Sequence, residues 1–284
     1  MNIKIKNEFI KVEISTHGAE MKSIKTADDT EQLHQPEAIW QGQAPVLFPI
    51  CGAPAGGKIT VDGKDYPMRS HGIARFSEFS IAKQSETAVT LVLASNDATK
   101  ESYPYDFEFY VTYALCGKSI DVGYNVINKT DGTMYFSFGS HEGYLCPEGL
   151  SSYEIHFEKP ESKKPIIYET GLIPEENLAE AHGHSVLALN DSLFCDSVTV
   201  VYENVDSGFV VLRNKNTGKE IKVEYAGIEN LFVWAEPGHK FVCIEPWCGM
   251  ADFGKTHDDI SNKLGIHSLE KGAAFERHHI ITFC

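Results

Sequence analysis

Ionisable and polar side chains gather in four short stretches, each at a point where an apolar segment meets a loop. The stretches are RSHGIAR (69–75), FGSHEGY (138–144), LFCDS (193–197) and CIEPWCG (243–249). Glu245 follows three apolar residues and precedes a proline, so its carboxylate is expected inside a strand or at the mouth of one. Buried carboxylates without a role are uncommon. His141 and Glu245 are therefore the first candidates for chemistry.

The SHEG stretch does not fit a nucleophilic triad. Neighbouring side chains of a regular strand point to opposite faces, so Ser140, His141 and Glu142 cannot converge on one reacting atom. The chain also lacks the G-x-S-x-G turn that presents a nucleophilic serine in α/β-hydrolases. The pattern argues against a Ser-His-acid mechanism.

The spacing of possible ligands gives little support to a metal or phosphate site. HGH (182–184) lies in a glycine-containing loop, HH (278–279) would face opposite sides of a strand, and the cysteines of CIEPWC (243–248) are not spaced like a zinc knuckle. GAPAGG (52–57) is not followed by a helical pattern, which argues against a phosphate loop or a dinucleotide fingerprint. We therefore expect no metal ion in the site.

The elements that must position these residues are predicted to be strands. Apolar segments of period two, rich in Val, Ile, Phe, Tyr and Thr, recur along the chain with turn residues between them. They are FIKVEIS, AVTLVLAS, FEFYVTYAL, SIDVGYNVIN, MYFSFGS, YEIHFE, SVTVVYE, FVVLRN, EIKVEYAG, LFVWAE, FVCIEPW and HHIITFC. The turns, such as NKTDG (128–132), NKNTG (214–218) and EPG (236–238), predict a meander of antiparallel hairpins.

Helical periodicity is scarce. Short helices are predicted only at EENLAEAH (175–182) and HDDISNKLG (257–265). A dozen strands with almost no crossover helices exclude a parallel βαβ sheet and favour two large packed sheets. No linker, repeat or change of composition divides the chain. We therefore expect a single all-β domain over residues 1–284, a large antiparallel β-sandwich with few short helices.

Charge, hydropathy and cysteine content indicate which classes of partner and which cellular compartment to expect. The formal net charge of −15, with 40 acidic and 25 basic residues, disfavours nucleic acid and anionic membrane surfaces. The first residues lack the apolar core of a signal peptide, and no apolar run reaches the roughly 20 residues of a membrane span. The seven cysteines, mostly inside apolar segments, are typical of reduced core thiols. We expect a cytoplasmic protein.

Each candidate also has a purely structural interpretation. His71, between Ser70 and Gly72, could cap a turn, and His141 could be a strand-end histidine that only fills hydrogen bonds. Glu245 could form a salt bridge with an arginine such as Arg75. The tryptophans at positions 40 and 247 are more commonly core residues than sugar platforms.

Six strings together resemble the aldose 1-epimerase (galactose mutarotase-like) family. They are GAEMKSI, APVLFPICG, HGIAR, YPYDFEF, YFSFGSH and VCIEPWCGMAD, in this order and over nearly the whole chain. The resemblance implies a β-supersandwich whose concave sheet holds a hexose without a metal or an organic cofactor. It implies that His141 is the general acid, that Glu245 is the general base, and that His71 helps to bind the sugar.

The implied chemistry interconverts α and β anomers. A base removes the proton from the C1 hydroxyl while an acid protonates the ring oxygen, so the ring opens, the C1–C2 bond rotates and the ring closes again. Glu245 is expected to be ionised at neutral pH without tuning, and acidic neighbours are expected to keep His141 protonated. The flanking glycines, Gly139 and Gly143, are expected to let the backbone come close to the ligand.

The sequence departs from the family pattern in ways that leave the substrate open. APVLFPICG lacks the arginine of galactose-type members, so Arg75 is expected to supply the cationic contact, and a phosphorylated hexose stays possible as the substrate. EGY (142–144) replaces the Pro-Ala-Phe of many relatives. Trp247 and Asp196 are further candidates for sugar contacts.

Three functions from different classes follow from these residues. The first is mutarotation of an aldohexose or a hexose 6-phosphate. The second is a carbohydrate-binding or sensing protein without activity. The third is glycoside hydrolysis, which would need a second carboxylate, Glu142 or Asp196, roughly 5 to 10 Å from Glu245. A cavity built by one chain needs no partner, so a monomer is expected, with a dimer as the alternative.

Overall fold

The computed structural model describes residues 1–163, 165–168, 184–252 and 259–284, without the side chains of residues 167, 168, 196 and 197. The first strands are β1 (Asn2–Lys6), β2 (Ile10–Ser15), β3 (Met21–Thr26), β4 (Val46–Leu47), β5 (Lys58–Val61), β6 (Lys64–Pro67), β7 (Ser80–Gln84), β8 (Ala88–Ala94), β9 (Phe107–Cys116), β10 (Ser119–Asn128), β11 (Met134–Phe136) and β12 (Phe138–Ser140). The others are β13 (Glu142–Leu145), β14 (Tyr153–Phe157), β15 (Ile166–Tyr168), β16 (Val186–Ala188), β17 (Thr199–Tyr202), β18 (Phe209–Asn214), β19 (Glu220–Glu224), β20 (Asn230–Trp234), β21 (Phe241–Cys248), β22 (His267–Leu269) and β23 (Ala274–Phe283).

Helical structure in the described residues is limited to short segments of three to seven residues. One α-helical turn, α1, spans Asp97–Lys100 and begins with a capping box at Asn96. The 3₁₀ segments are Ala55–Gly57, Ala74–Phe76, Leu150–Ser152, Asp191–Ser197 and Ile260–Asn262. No helix in the described part of the chain is long and apolar enough to cross a membrane.

Two large antiparallel sheets dominate the structure. The nine-stranded sheet has the order β16-β14-β18-β19-β23-β10-β9-β8-β7. The seven-stranded sheet has the order β15-β17-β20-β21-β12-β4, and β13 also pairs with β21. A three-stranded sheet, β1-β2-β3, and two two-stranded pairs, β5-β6 and β11-β22, complete the topology. The fold is the predicted all-β sandwich.

The main core lies between the two large sheets. Rings of the nine-stranded sheet pack against the seven-stranded sheet: Phe109 and Tyr124 have ring centroids 6.3 and 5.1 Å from that of Phe138. Strand β21 is buried along its whole length because it has neighbours on both faces. Ile244 and Cys248 belong to this core. The alternate side chains of β21 face the other way, and the site lies on that outer face.

All twelve strands predicted from period two are present, with ends that differ by a few residues. The segment MYFSFGS is predicted as one strand, but it forms two short strands, β11 and β12, which pair with different partners. Several edge strands of two to six residues, such as β4 and β15, were not predicted, because so short a segment carries no periodic signal. The helix predicted at 175–182 lies outside the described residues. In the described part of 257–265, the structure has only the 3₁₀ turn Ile260–Asn262.

Candidate active site

A cavity of about 610 Å³ opens on the outer face of the seven-stranded sheet. Five of the six predicted site residues line it: His71, Arg75, His141, Glu245 and Trp247. The rest of its lining is Trp40, Gly52, Ala53, Ser70, Thr199, Phe232, Trp234 and Ala251. Residues far apart in sequence therefore meet around one space large enough for a monosaccharide.

The imidazole of His141 and the carboxylate of Glu245 are in contact at the floor of this cavity. His141 occupies the single position between β12 and β13, and Glu245 lies in β21, with which both of those strands pair. The His141 Nε2 and Glu245 Oε2 atoms are 3.5 Å apart, and the side chains are 10% and 2% exposed. Among the described residues, Glu245 forms its ion pair with His141 and not with Arg75.

Burial shifts the protonation of both members of the pair. It lowers the pKa of His141 well below its ordinary value, and the nearby His71 and Arg75 lower it further. Burial also raises the pKa of Glu245 well above its ordinary value, and the charge of Glu142 adds to this effect. Both pKa directions run against the expectation of an untuned, ionised Glu245 beside a protonated His141 in the protein without a ligand.

His71 presents one ring nitrogen to the cavity as a donor. Its Nδ1 accepts a hydrogen bond from the backbone N–H of Gly52 at 3.2 Å, so the neutral ring carries its proton on Nε2. Burial, with Arg75 as a smaller cause, lowers the pKa of His71 to about 3. The residue has a φ of 65°, in the left-handed region that is costly for a side chain. Such strain is typical of residues held in place for binding.

Arg75 is the one cationic residue among those that line the cavity. It lies in the 3₁₀ turn Ala74–Phe76, its guanidinium is 5.3 Å from the centroid of the Phe76 ring, and it forms no ion pair with any described residue. Burial lowers its pKa, and the more distant Glu20 opposes that shift. A guanidinium has five N–H donors, so Arg75 can bind hydroxyl, carboxylate or phosphate oxygens of a ligand.

Three tryptophans wall the cavity, and two of them lie over the glycines that flank His141. A Cβ atom on Gly139 would meet Trp247 Cδ1 at 2.5 Å, and one on Gly143 would meet Trp40 Cζ3 at 2.7 Å. The glycines therefore make room for indole rings and not directly for a ligand, which corrects the prediction from sequence. Trp247 is held by its Nε1–H, which donates to the Ser140 carbonyl at 3.0 Å.

Sequence reasoning missed part of the aromatic wall. The ring centroid of Trp40 lies 5.3 Å from that of His141, and the centroid of Trp234 lies 6.0 Å from it. Phe232 stacks on Trp247 at 3.7 Å. Phe232 and Trp234 alternate along β20, so the pattern LFVW could have placed both on one face, but not on the face with the cavity.

Glu142 points away from the cavity into the sandwich. Its Oε1 lies 3.2 Å from Nε2 of His279 on β23, and the two side chains are 2% and 0% exposed. Glu142 therefore cannot serve as the second carboxylate of a glycosidase at Glu245. The other candidate, Asp196, has a side chain outside the described residues.

The described residues contain two groups of three possible metal-ligand side chains. Within each group, the donor atoms lie within 4.8 Å of one another, a spacing that a metal ion could use. The groups are His141, Cys243 and Glu245, and Glu229, Cys248 and His267. Each contains an imidazole–carboxylate pair, at 3.5 Å in the first and 3.7 Å between His267 Nε2 and Glu229 Oε1 in the second. Burial raises the pKa of both thiols, so each group is an imidazole–carboxyl contact beside a neutral thiol.

Comparison with known proteins identifies the family. The family model described as aldose 1-epimerase matches residues 1–259. The chain belongs to the aldose 1-epimerase family. Epimerases of this family are isomerases, and the chain is an enzyme of this class.

Relatives of this epimerase cover nearly its whole length. The chromosomal LacX protein of Lactococcus lactis subsp. lactis is 34% identical over 267 residues, which are 88% of this chain and 89% of LacX. The crystal structure of a galactose mutarotase related enzyme from Lactobacillus acidophilus is 32% identical and has a TM-score of 0.94, covering 100% of this chain and 97% of its own. A galactose mutarotase-like protein from Lactobacillus casei is 26% identical with a TM-score of 0.90, covering 100% of both chains.

Proposed function

We propose that this epimerase interconverts the α and β anomers of an aldohexose, with His141 and Glu245 as the acid–base pair. The observation that carries the proposal is the 3.5 Å contact between the two side chains on the floor of a cavity. Ring opening needs one group to take the C1 hydroxyl proton and another to protonate the ring oxygen, and a paired imidazole and carboxylate can do both. His71 and Arg75 would donate hydrogen bonds to hydroxyls.

The pair needs to hold one proton for this reaction. That proton can lie on Glu245, as burial favours, or on His141. The two side chains are 3.5 Å apart, so the proton can pass from one to the other. A sugar hydroxyl that donates to Glu245 stabilises the carboxylate and moves the proton to His141. His141 then acts as the acid and Glu245 as the base in ring opening, and the roles reverse when the ring closes.

The proposal is tested by polarimetry or anomeric proton NMR on freshly dissolved α-glucose and α-galactose. We expect wild type to accelerate equilibration and His141→Asn and Glu245→Gln each to lose a factor on the order of 10² to 10⁴. His278→Asn and Glu276→Gln, matched changes on the outer face of β23, should keep the wild-type rate. Sugar binding without acceleration by wild type would contradict the proposal and would point to a carbohydrate-binding protein.

Arg75 favours a second candidate substrate, a hexose 6-phosphate. Its guanidinium lines the cavity and forms no ion pair with the described residues. A guanidinium can bind a phosphate group with two parallel hydrogen bonds, in a bidentate geometry. If the substrate is phosphorylated, Arg75→Gln should reduce kcat/KM for glucose 6-phosphate by at least tenfold more than for glucose. Equal losses on both sugars would assign Arg75 to a hydroxyl.

A further inference from the structure

A second imidazole–carboxylate pair lies in the interior of the sandwich, directly behind the first. Glu142 of β13 and His279 of β23 reach toward each other from opposite sheets, with Oε1 and Nε2 3.2 Å apart. The ring of Tyr124 on β10 stacks on His279 with centroids 5.9 Å apart. The surroundings are otherwise the apolar core that contains Phe138.

This interior pair is costly for the fold. Oε2 of Glu142 and both ring nitrogens of His279 are buried without a hydrogen bond to any described residue, so the 3.2 Å contact between Glu142 and His279 is an ion-pair distance and not a hydrogen bond. The same is true of three neutral oxygens nearby, those of the Ser140, Tyr124 and Tyr144 side chains. A buried carboxylate with unused acceptor capacity destabilises a core, and apolar residues of similar size would serve packing better. The pair therefore has a role other than packing.

Its position relates it to the acid–base pair. Glu142 follows His141 in the chain, and in the pairing of β13 with β21 it stands opposite Ile244, the neighbour of Glu245. Adjacent residues of a strand face opposite ways, so the carboxylate of Glu142 lies behind the two strands whose front faces carry His141 and Glu245.

We propose that Glu142 is a positioning residue whose negative charge sets the pH range in which the His141–Glu245 pair holds a single proton. This inference rests on the proposed function. An anion behind the pair makes every proton on it harder to remove. Both limbs of the pH–activity profile should therefore lie at higher pH than they would without Glu142. His279 is the ion-pair contact of this carboxylate, with Nε2 3.2 Å from Oε1.

Few other charges compete with Glu142 in this region. The titratable groups that interact electrostatically with it are Tyr113 of β9, Tyr124 of β10, Tyr144 of β13, Cys243 and Glu245 of β21 and His279 of β23. Burial raises the pKa of each of these tyrosines and of Cys243, so they stay neutral. On the cavity side, the groups that act on His141 are His71 and the cation of Arg75, which works in the opposite sense.

The test substitutes Glu142→Gln, which keeps the size of the side chain and removes its charge. Both limbs of the kcat/KM profile should move to lower pH by on the order of one pH unit, the scale expected for one unit charge acting across a strand in the effective dielectric of a protein. A second readout, which needs no sugar, is the pH titration of the Glu245 carboxyl followed by ¹³C NMR. The Glu245 signal is assigned as the one that is missing from the spectrum of Glu245→Gln. Its midpoint should move in the same direction.

Tyr124→Phe is the matched control, because it removes a neutral buried oxygen beside the same pair. It should leave both the limbs and the Glu245 midpoint at their wild-type pH. If Glu142→Gln does not fold, Glu142→Asp and His279→Gln keep the anion, and neither should move the limbs to lower pH by more than a few tenths.

A Glu142→Gln variant with reduced activity but unmoved limbs and midpoint would overturn the inference and leave Glu142 a structural role. An acidward shift in the variants that keep the anion would also overturn it. A wild type without mutarotase activity would instead contradict the proposed function, and the carboxyl titration would still decide whether Glu142 acts on Glu245.

Discussion

Burial lowers the pKa of the two cavity histidines, His71 and His141, in the folded protein. The pKa of His71 falls to about 3, against an ordinary value of 6.5, and that of His141 also lies well below its ordinary value. Between these values the unfolded chain binds protons that the native chain does not, so stability rises with pH through this window and is lost as pH falls below about 6.5. Glu245 acts in the opposite sense, because its raised pKa favours the protonated native state.

His71 therefore predicts a specific pH dependence of stability. When the pH falls from 6.5 to 5, protonation of His71 in the unfolded chain should lower the unfolding free energy by up to about 2 kcal/mol. His71→Asn keeps a residue that tolerates positive φ and removes the titrating ring, so its unfolding free energy should fall less than that of wild type between pH 7 and pH 5. Urea unfolding at the two pH values measures the difference. Parallel losses in the two proteins would contradict the assignment.

At the scale of elements, the strand pair β12–β21 supports the walls of the cavity. Gly139 of β12 stands opposite Trp247 of β21, and the absence of a side chain on Gly139 lets the indole lie against the backbone. Without that contact the ring would move into the cavity or away from Phe232, on which it stacks. Glycine is therefore required by packing, and not by a turn.

Gly139→Ala should displace the Trp247 ring. Because overpacking of this kind costs about 1 to 3 kcal/mol, the unfolding free energy should fall by that amount, with a change in tryptophan fluorescence. Gly123→Ala is the matched control in β10, since a Cβ there would lie an ordinary 3.7 Å from Thr112 Cβ. It should alter the unfolding free energy by less than about 0.5 kcal/mol. Equal effects of the two changes would contradict this account of Gly139.

At the scale of the whole molecule, a buried ion pair joins distant segments beside the cavity. Lys263, whose side chain is 1% exposed, contacts Asp252, which also accepts the backbone N–H of Ala55 at 2.9 Å. Ala251, the neighbour of Asp252, lines the cavity. The pair thus connects the rim of the cavity to the segment that precedes β22.

Lys263→Met should destabilise the protein by about 3 to 5 kcal/mol, because removing one partner of a largely buried ion pair is strongly destabilising. Lys271→Met removes the cation of an exposed pair with Asp131, whose side chains are 68% and 87% exposed, and should cost at most about 1 kcal/mol. Thermal or urea unfolding compares the two. A cost below 1 kcal/mol for Lys263→Met would show that solvent screens the pair.

Assembly belongs to the same scale. The cavity of about 610 Å³ is already large enough for a monosaccharide without residues from a second copy, so we propose that the monomer is active. Light scattering at the enzyme concentration of the assay tests this proposal. Activity confined to a dimer fraction would contradict it.

The sequence alone was sufficient for the fold class, the main strands and the positions of the candidate acid and base. Period-two alternation is a local property, so the twelve strands could be predicted from short segments, and six ordered strings indicated the family. The same alternation set Ser140 and Glu142 on the face opposite to His141. These predictions depend on neighbours in the chain.

Only the tertiary structure decided what surrounds those residues. Burial and charge at His141 and Glu245 come from segments more than 60 residues away, including the loop of His71, so the direction of their pKa shifts could not be predicted from the sequence. Trp40 became a wall of the cavity through its contact with Gly143. Glu142 gained its partner, His279, from the opposite sheet, because a strand pattern specifies a face but not what packs against it.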